Sequence, residues 1–130
     1  MSDPLLLDTN VLIWLLSASA RISRRAKRAL SRQGISLVVS AASVWEIVLK
    51  TQAGKLTFQE GLDAALDQIL HRSPWTILPV SAEHLPVLAA LPVLHRDPFD
   101  RLLIAQARHE NLVIVTSDEQ IPRYDVRTVW

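Results

Sequence analysis

The sequence predicts an α/β fold in which a central, mainly parallel β-sheet is flanked by helices on both faces. Three observations predict it. Leu5-Leu6-Leu7, Ile35-Ser36-Leu37-Val38-Val39 and Leu112-Val113-Ile114-Val115 are short runs without regular polar alternation, the pattern of strands buried on both sides. Segments with helical periodicity alternate with these runs along the chain. No tight hairpin dipeptide joins two of them, so antiparallel neighbours are not expected.

Taken in order, Leu5–Leu7 is the first strand. Asn10 or Thr9 is the expected N-cap of an apolar helix from Val11 to Leu16. Ile22 to Gln33 places Ile22, Ala26, Ala29 and Leu30 at helical spacing and stops at Gly34. The strand Ile35–Val39 leads to Ser40, an N-cap for a helix over Ala41–Ala53. Its expected buried stripe is Val44, Ile47, Val48 and Thr51, with Glu46 off the stripe and Gly54 just past the end. Phe58 to Leu70 reads as one further helix, with Leu62, Ala65, Leu66 and Ile69 inward. Trp75–Val80 is a short strand, Ser81 caps a helix to about Leu91, and Pro92–Arg96 is a loop. Asp97-Pro98-Phe99-Asp100 opens a helix through Glu110, with Pro98 at the first helical position, where its missing N–H costs nothing. Leu112–Val115 is a buried strand, and Val126–Val129 is an edge strand.

Composition narrows the function classes. A chain of 130 residues, 49% hydrophobic, has room for one core, and a single domain over 1–130 is expected. The absence of cysteine excludes disulfides and thiolate metal sites and suits a reducing compartment. No apolar run reaches the roughly 18 residues of a membrane span, and Met1–Leu7 has no positive n-region, so a cytoplasmic protein is expected. The net charge of +1 hides an asymmetry. No Asp or Glu lies between Thr9 and Trp45, while Arg21, Arg24, Arg25, Lys27, Arg28 and Arg32 give that segment +6; the remainder, with eight basic and thirteen acidic residues, carries −5. Such a face suits a polyanion, although an ordinary solvated helix is the plainer explanation.

The chemistry-bearing residues are acids. Asp8 follows the first strand directly and Asp118 follows Val113-Ile114-Val115 by three residues, so in a parallel sheet both lie at one edge, where α/β folds bind ligands. Glu46 lies in the second turn of a helix starting beyond another strand end, and Asp97 and Asp100 open a helix over the same edge. Each has a plainer explanation: a cap for Asp8, Asp97 or Asp118, a Lys50 ion pair for Glu46, a favourable helix dipole for Asp100. Together, converging carboxylates repel and take up protons unless a cation joins them. All-oxygen donors without cysteine, and four histidines (His71, His84, His95, His109) without ligand spacing, favour Mg²⁺ or Mn²⁺ over Zn²⁺. No glycine follows a strand into a helix, which excludes P-loop and dinucleotide cradles, and there is no GxSxG elbow.

In four stretches the chain resembles the PIN-domain ribonucleases, specifically the VapC-like toxins of bacterial toxin–antitoxin pairs. These are Leu6-Leu7-Asp8-Thr9-Asn10-Val11, Ser43-Val44-Trp45-Glu46-Ile47, Asp97-Pro98-Phe99-Asp100-Arg101-Leu102-Leu103-Ile104-Ala105-Gln106-Ala107 and Thr116-Ser117-Asp118. The resemblance implies a PIN-like α/β/α sandwich, a Mg²⁺- or Mn²⁺-dependent endoribonuclease, a cognate antitoxin, and a homodimer gathered into larger toxin–antitoxin assemblies. Carried over by residue, it implies Asp8, Glu46, Asp100 and Asp118 as catalytic metal ligands, with Asn10 and Thr116 in support. Asp97 is assigned as a cap or supporting acid, and Asp100 as the ligand. Arg24, Arg25 and Arg28 are candidates for the RNA backbone, although the same face could receive the antitoxin. The apolar helix with Trp14 is expected to line a groove for an antitoxin segment. A non-catalytic RNA-binding module of the same fold is the main alternative, and it predicts binding that needs neither metal nor Asp8. A receiver-like phosphoacceptor is disfavoured, because no aspartate closes the second or third strand and no lysine follows Val115.

Overall fold

Residues 3–130 are described by a computed structural model. Its five strands, β1 (Leu5–Leu7), β2 (Leu37–Ser40), β3 (Thr76–Leu78), β4 (Val113–Val115) and β5 (Thr128–Val129), pair in the order β3-β2-β1-β4-β5. Every pairing is parallel. The six α-helices among the described residues are α1 (Thr9–Leu16), α2 (Arg24–Leu30), α3 (Ala41–Gln52), α4 (Leu62–Asp67), α5 (His84–Ala90) and α6 (Pro98–Glu110).

Strand pleating sends successive side chains to opposite faces, and both faces are covered. Leu6, Val38 and Ile114 join Leu91, Leu103, Ile104 and Tyr124 on the α5–α6 side. Leu5, Leu7, Val39 and Val115 join Val11, Leu12, Ala26, Ile47 and Ile69 on the other. Three leucines in succession are thus what a central strand with two cores requires. Within α1, Ile13, Trp14, Leu15 and Leu16 pack half-buried against the second core, and Trp14 meets Trp130 at 5.8 Å between ring centroids.

Several boundaries differ from the sequence expectation for identifiable reasons. Asp8, rather than Thr9 or Asn10, caps α1 by accepting the Thr9 N–H at 2.8 Å, so the helix starts immediately after the strand. Ser23 caps α2 by accepting from Ala26, which moves its start from Ile22 to Arg24; it ends at Leu30 rather than reaching Gln33. The fourth helix starts at Leu62 instead of Phe58 because Gly61 holds φ +91°, outside the right-handed helical region. It then widens into a turn over Gln68–Arg72, closed by the Ser73 N–H on the Gln68 carbonyl at 2.9 Å. Ser81 does not cap α5 with its hydroxyl; its N–H is accepted by His84 Nδ1 at 3.1 Å, and the helix begins at His84. The buried face of α3 is Ala42, Ser43, Glu46 and Ile47, rotated from the predicted stripe, because α3 packs against both α1 and α6.

The switch in strand order falls at β1, flanked by β2 on one side and β4 on the other, so the crevice beyond its carboxyl end is the place for a site. Helix α6 is set there by its capping and by a buried polar tie. Asp97 accepts from the Phe99 and Asp100 N–H groups, and Ser40 donates to Gln106 Oε1 at 2.6 Å. Ile104 on this helix is fully buried. Truncating Ile104→Ala should cost about 2–5 kcal/mol of stability, the range for large-to-small core changes, measured as a lowered midpoint of urea unfolding with an unchanged slope.

Candidate active site

The first carboxylate is fixed by two strand ends. Asp8 is buried at the end of β1; one oxygen caps α1 and the other accepts the Thr116 hydroxyl at 2.7 Å. Thr116 lies just past β4, the neighbour of β1. Its hydroxyl oxygen in turn accepts the Asp118 N–H at 3.0 Å, which places Asp118 at the same edge. Asp118 also accepts from the Gln120 N–H at 2.8 Å, so it shapes the turn it sits in.

The other two acids come from helices. Glu46 is buried on α3 and pairs with Lys50 at 3.1 Å, the i,i+4 pair expected on that helix, yet its charge is felt at both Asp8 and Asp100. Asp100 is buried in the first turn of α6, beside His95 Nε2 at 3.1 Å. Thr9 donates to Ser43 Oγ at 2.9 Å, tying the start of α1 to α3 next to these acids. Asp97 is exposed and acts as the cap of α6. Asn10 is exposed on the first turn of α1. Arg24, Arg25 and Arg28 are exposed on α2, and among the described residues none of them hydrogen-bonds to the acids.

Burial and mutual repulsion raise the affinity of these acids for protons. Desolvation pushes Asp8 up to about 6, opposed by its bonds to Thr116 and Thr9 and reinforced by the charges of Asp118 and Glu46. Asp100 is pushed up to about 8, again first by desolvation and then by the charges of Asp8, Asp97, Asp118 and Glu46. The four predicted acids therefore share one electrostatic environment. Among the described residues no three histidine or carboxylate side chains stand as a ready ligand cluster. In donor chemistry the set fits a hard divalent cation: it is all oxygen, partly buried, and carries negative charge that the protein leaves undercompensated.

Sequence reasoning missed part of the surroundings. The Thr9–Ser43 and His95–Tyr124 pairings were not foreseen, because they join positions 34 and 29 residues apart. The Tyr124 oxygen is crowded by partners: the Leu94 and His95 N–H groups, the Arg101 guanidinium and the His95 ring.

Comparison with known proteins supplies the family context. The PIN domain family model matches residues 5–127. A search of curated protein sequences finds no match. Among solved structures, VapBC2 from Rickettsia felis, bound to a DNA fragment from its promoter, superposes with a TM-score of 0.71 at 19% identity, covering 95% of this chain and 96% of that one. FitAcB from Neisseria gonorrhoeae gives 0.69 at 20% identity over 95% of each chain. DNA-bound VapBC from Salmonella typhimurium gives 0.69 at 16%, covering 98% and 97%. At these identities the likeness is one of fold.

The raised acids make a pH signature. Folded Asp8 and Asp100 hold protons more tightly than their ordinary value of 3.8, so the folded state binds more protons and its stability falls as pH rises from about 4 through 6 and 8. In EDTA, Asp100→Asn should flatten that decline and raise Tm at pH 8.5 by about 3–8 °C, with a smaller gain at pH 5, measured by differential scanning calorimetry.

Proposed function

The chain belongs to the PIN domain family, and from that premise we propose that it is a Mg²⁺- or Mn²⁺-dependent endoribonuclease acting as the toxin of a toxin–antitoxin pair. The observation that carries this reading is the convergence of Asp8, Glu46, Asp100 and Asp118, from two strand ends and two helices, into one mutually repelling group. Unaccompanied, such a group would repel a phosphodiester. The same four side chains would hold the cation, with Asn10, Asp97 and Thr116 in support. When bound, the cation supplies the positive charge that activates water at neutral pH and offsets the charge developing on the phosphate and its leaving 3′-oxygen.

What the chain's own residues contribute is placement. The Thr116 hydroxyl accepts from Asp118 and so directs its proton to Asp8, holding that carboxylate in one orientation. Ser43 and Thr9 fix α1 against α3, which keeps Asp8 and Glu46 on facing elements. Arg24, Arg25 and Arg28 present cations on the exposed side of α2 for contacts to RNA phosphates, which give affinity without base choice.

A cognate antitoxin is the proposed protein partner. It is supported by the structural neighbours that are VapBC and FitAcB assemblies, and by one from Klebsiella pneumoniae that is a toxin–antitoxin complex, matched at a TM-score of 0.58 and 23% identity over 87% of this chain and 85% of that one. The homodimer, its pairing into larger assemblies and a cytoplasmic location belong to the same proposal. Among the described residues no helix is long and apolar enough to cross a membrane.

Purified, antitoxin-free protein should cleave a mixed RNA pool with Mn²⁺ or Mg²⁺ and not with EDTA. Asp8→Asn should lower the rate by at least the ~100-fold that losing a metal ligand's supporting partner already costs, followed by gel-resolved cleavage. Cleavage that survives both EDTA and Asp8→Asn would refute the assignment, and metal-independent RNA binding without cleavage would favour a non-catalytic module.

A further inference from the structure

Asp100 is approached by a pair of side chains that the catalytic proposal leaves unused. His95, in the loop before α6, has Nε2 3.1 Å from Asp100 Oδ2 and Nδ1 2.8 Å from the Tyr124 hydroxyl. Tyr124 is buried in the core beneath α6, and its oxygen is crowded by donors. The backbone N–H groups of Leu94 and His95 reach it at 3.2 and 3.1 Å, and the Arg101 guanidinium at 3.0 Å.

Those three groups can only donate. With two lone pairs already facing three incoming protons, the phenol oxygen has no capacity for a fourth from the imidazole. Its own proton has His95 Nδ1 as acceptor. His95 Nδ1 is therefore unprotonated, and the neutral ring carries its hydrogen on Nε2, aimed at Asp100. The loop that presents the ring is itself held, since Arg101 also donates to the Pro92 carbonyl at 2.8 Å and Arg123 to that of Leu94 at 3.0 Å.

We propose that Tyr124 and His95 are positioning residues for Asp100: the tyrosine hydroxyl fixes the Nε2–H tautomer of His95, and that N–H holds Oδ2 of the carboxylate in place. Oδ1, which accepts no hydrogen bond among the described residues, is thereby left for a cation. This inference rests on the reading of Asp100 as a metal ligand. The physical logic is that of outer partners at metal sites, where a donor that orients a ligand governs affinity without touching the ion.

The test reads the tautomer and cation binding separately from cleavage. In ¹⁵N-histidine NMR of the metal-free wild type at neutral pH, His95, assigned by the signal lost in His95→Gln, should show a protonated Nε2 and an unprotonated, hydrogen-bonded Nδ1. In Tyr124→Phe, checked for folding by circular dichroism, that tautomer preference should be lost. Mn²⁺ binding, followed by electron paramagnetic resonance of the free ion, should weaken by about 10- to 100-fold in Tyr124→Phe and His95→Phe. His95→Gln, which keeps an N–H within reach of Asp100, should retain most of it. A wild-type His95 protonated on Nδ1, or a Tyr124→Phe protein with unchanged spectrum and Mn²⁺ affinity, overturns the proposal. A wild type that binds Mn²⁺ and shows the expected tautomer but cuts no RNA overturns the nuclease reading instead and leaves the positioning role standing.

Discussion

The hydrogen bond from Thr116 to Asp8 joins the ends of two adjacent parallel strands, and the site depends on it. Both residues lie just beyond the point where strand order reverses, so the backbone of β1 and β4 decides their separation. A carboxylate buried there is costly. The cost is reduced by two donors, the Thr9 N–H and the Thr116 hydroxyl, and increased by neighbouring acids. The sheet holds Asp8 in surroundings that it would leave if it were mobile, and this is what gives the group affinity for a counter-charge.

The helices are registered on this edge by buried polar contacts rather than by apolar packing alone. Leu103 and Ile104 can slide against leucines with little penalty. The bond from Ser40 to Gln106 cannot, because both groups are fully buried and breaking it leaves the Ser40 hydroxyl proton and Gln106 Oε1 unpaired. On the far end of α6, His84 accepts the Ser81 N–H on Nδ1 and meets Glu110 at 2.8 Å through Nε2, which ties α5 to the last turn of α6. Asp100 thus reaches the acid cluster from a helix clamped near its middle and at its end. The same helix carries the cap Asp97 and, through His95 and Tyr124, the contact that orients Asp100. Position, orientation and charge at this carboxylate come from three different parts of the chain.

Much of the fold was legible in the residues because local rules and burial agree. Leu5–Leu7 and Val113–Val115 are apolar at every position, so no pairing of theirs leaves a face in water, and a buried parallel strand is the consistent outcome. Asp97-Pro98 combines a cap with a residue that favours the first helical turn, and α6 begins there. The reading failed where a local preference was overruled. Phe58–Gly61 has helical spacing, but Gly61 takes a conformation that ends any helix. The stripe on α3 was assigned from hydrophobicity, and the helix turned to bury Ser43 and Glu46 because it packs against both α1 and α6, with Ser43 meeting the Thr9 hydroxyl. The four acids could be named from their places relative to strands and helix starts. Their coupling could not be, since it depends on distances across elements.

The sequence by itself determined the alternation of buried strands and amphipathic helices, and with it a parallel sheet whose carboxyl edge collects Asp8 and Asp118. Hydrophobic periodicity is a one-dimensional property, and these conclusions need nothing more. Only the tertiary structure decided that Asp8 is at once a helix cap and a buried acid, that Glu46 faces inward while paired to Lys50, and that His95 and Tyr124 stand behind Asp100. Hydrogen bonds between side chains are short-ranged and directional, so partners tens of residues apart in sequence are selected only once the sheet and its helices have fixed where each side chain ends.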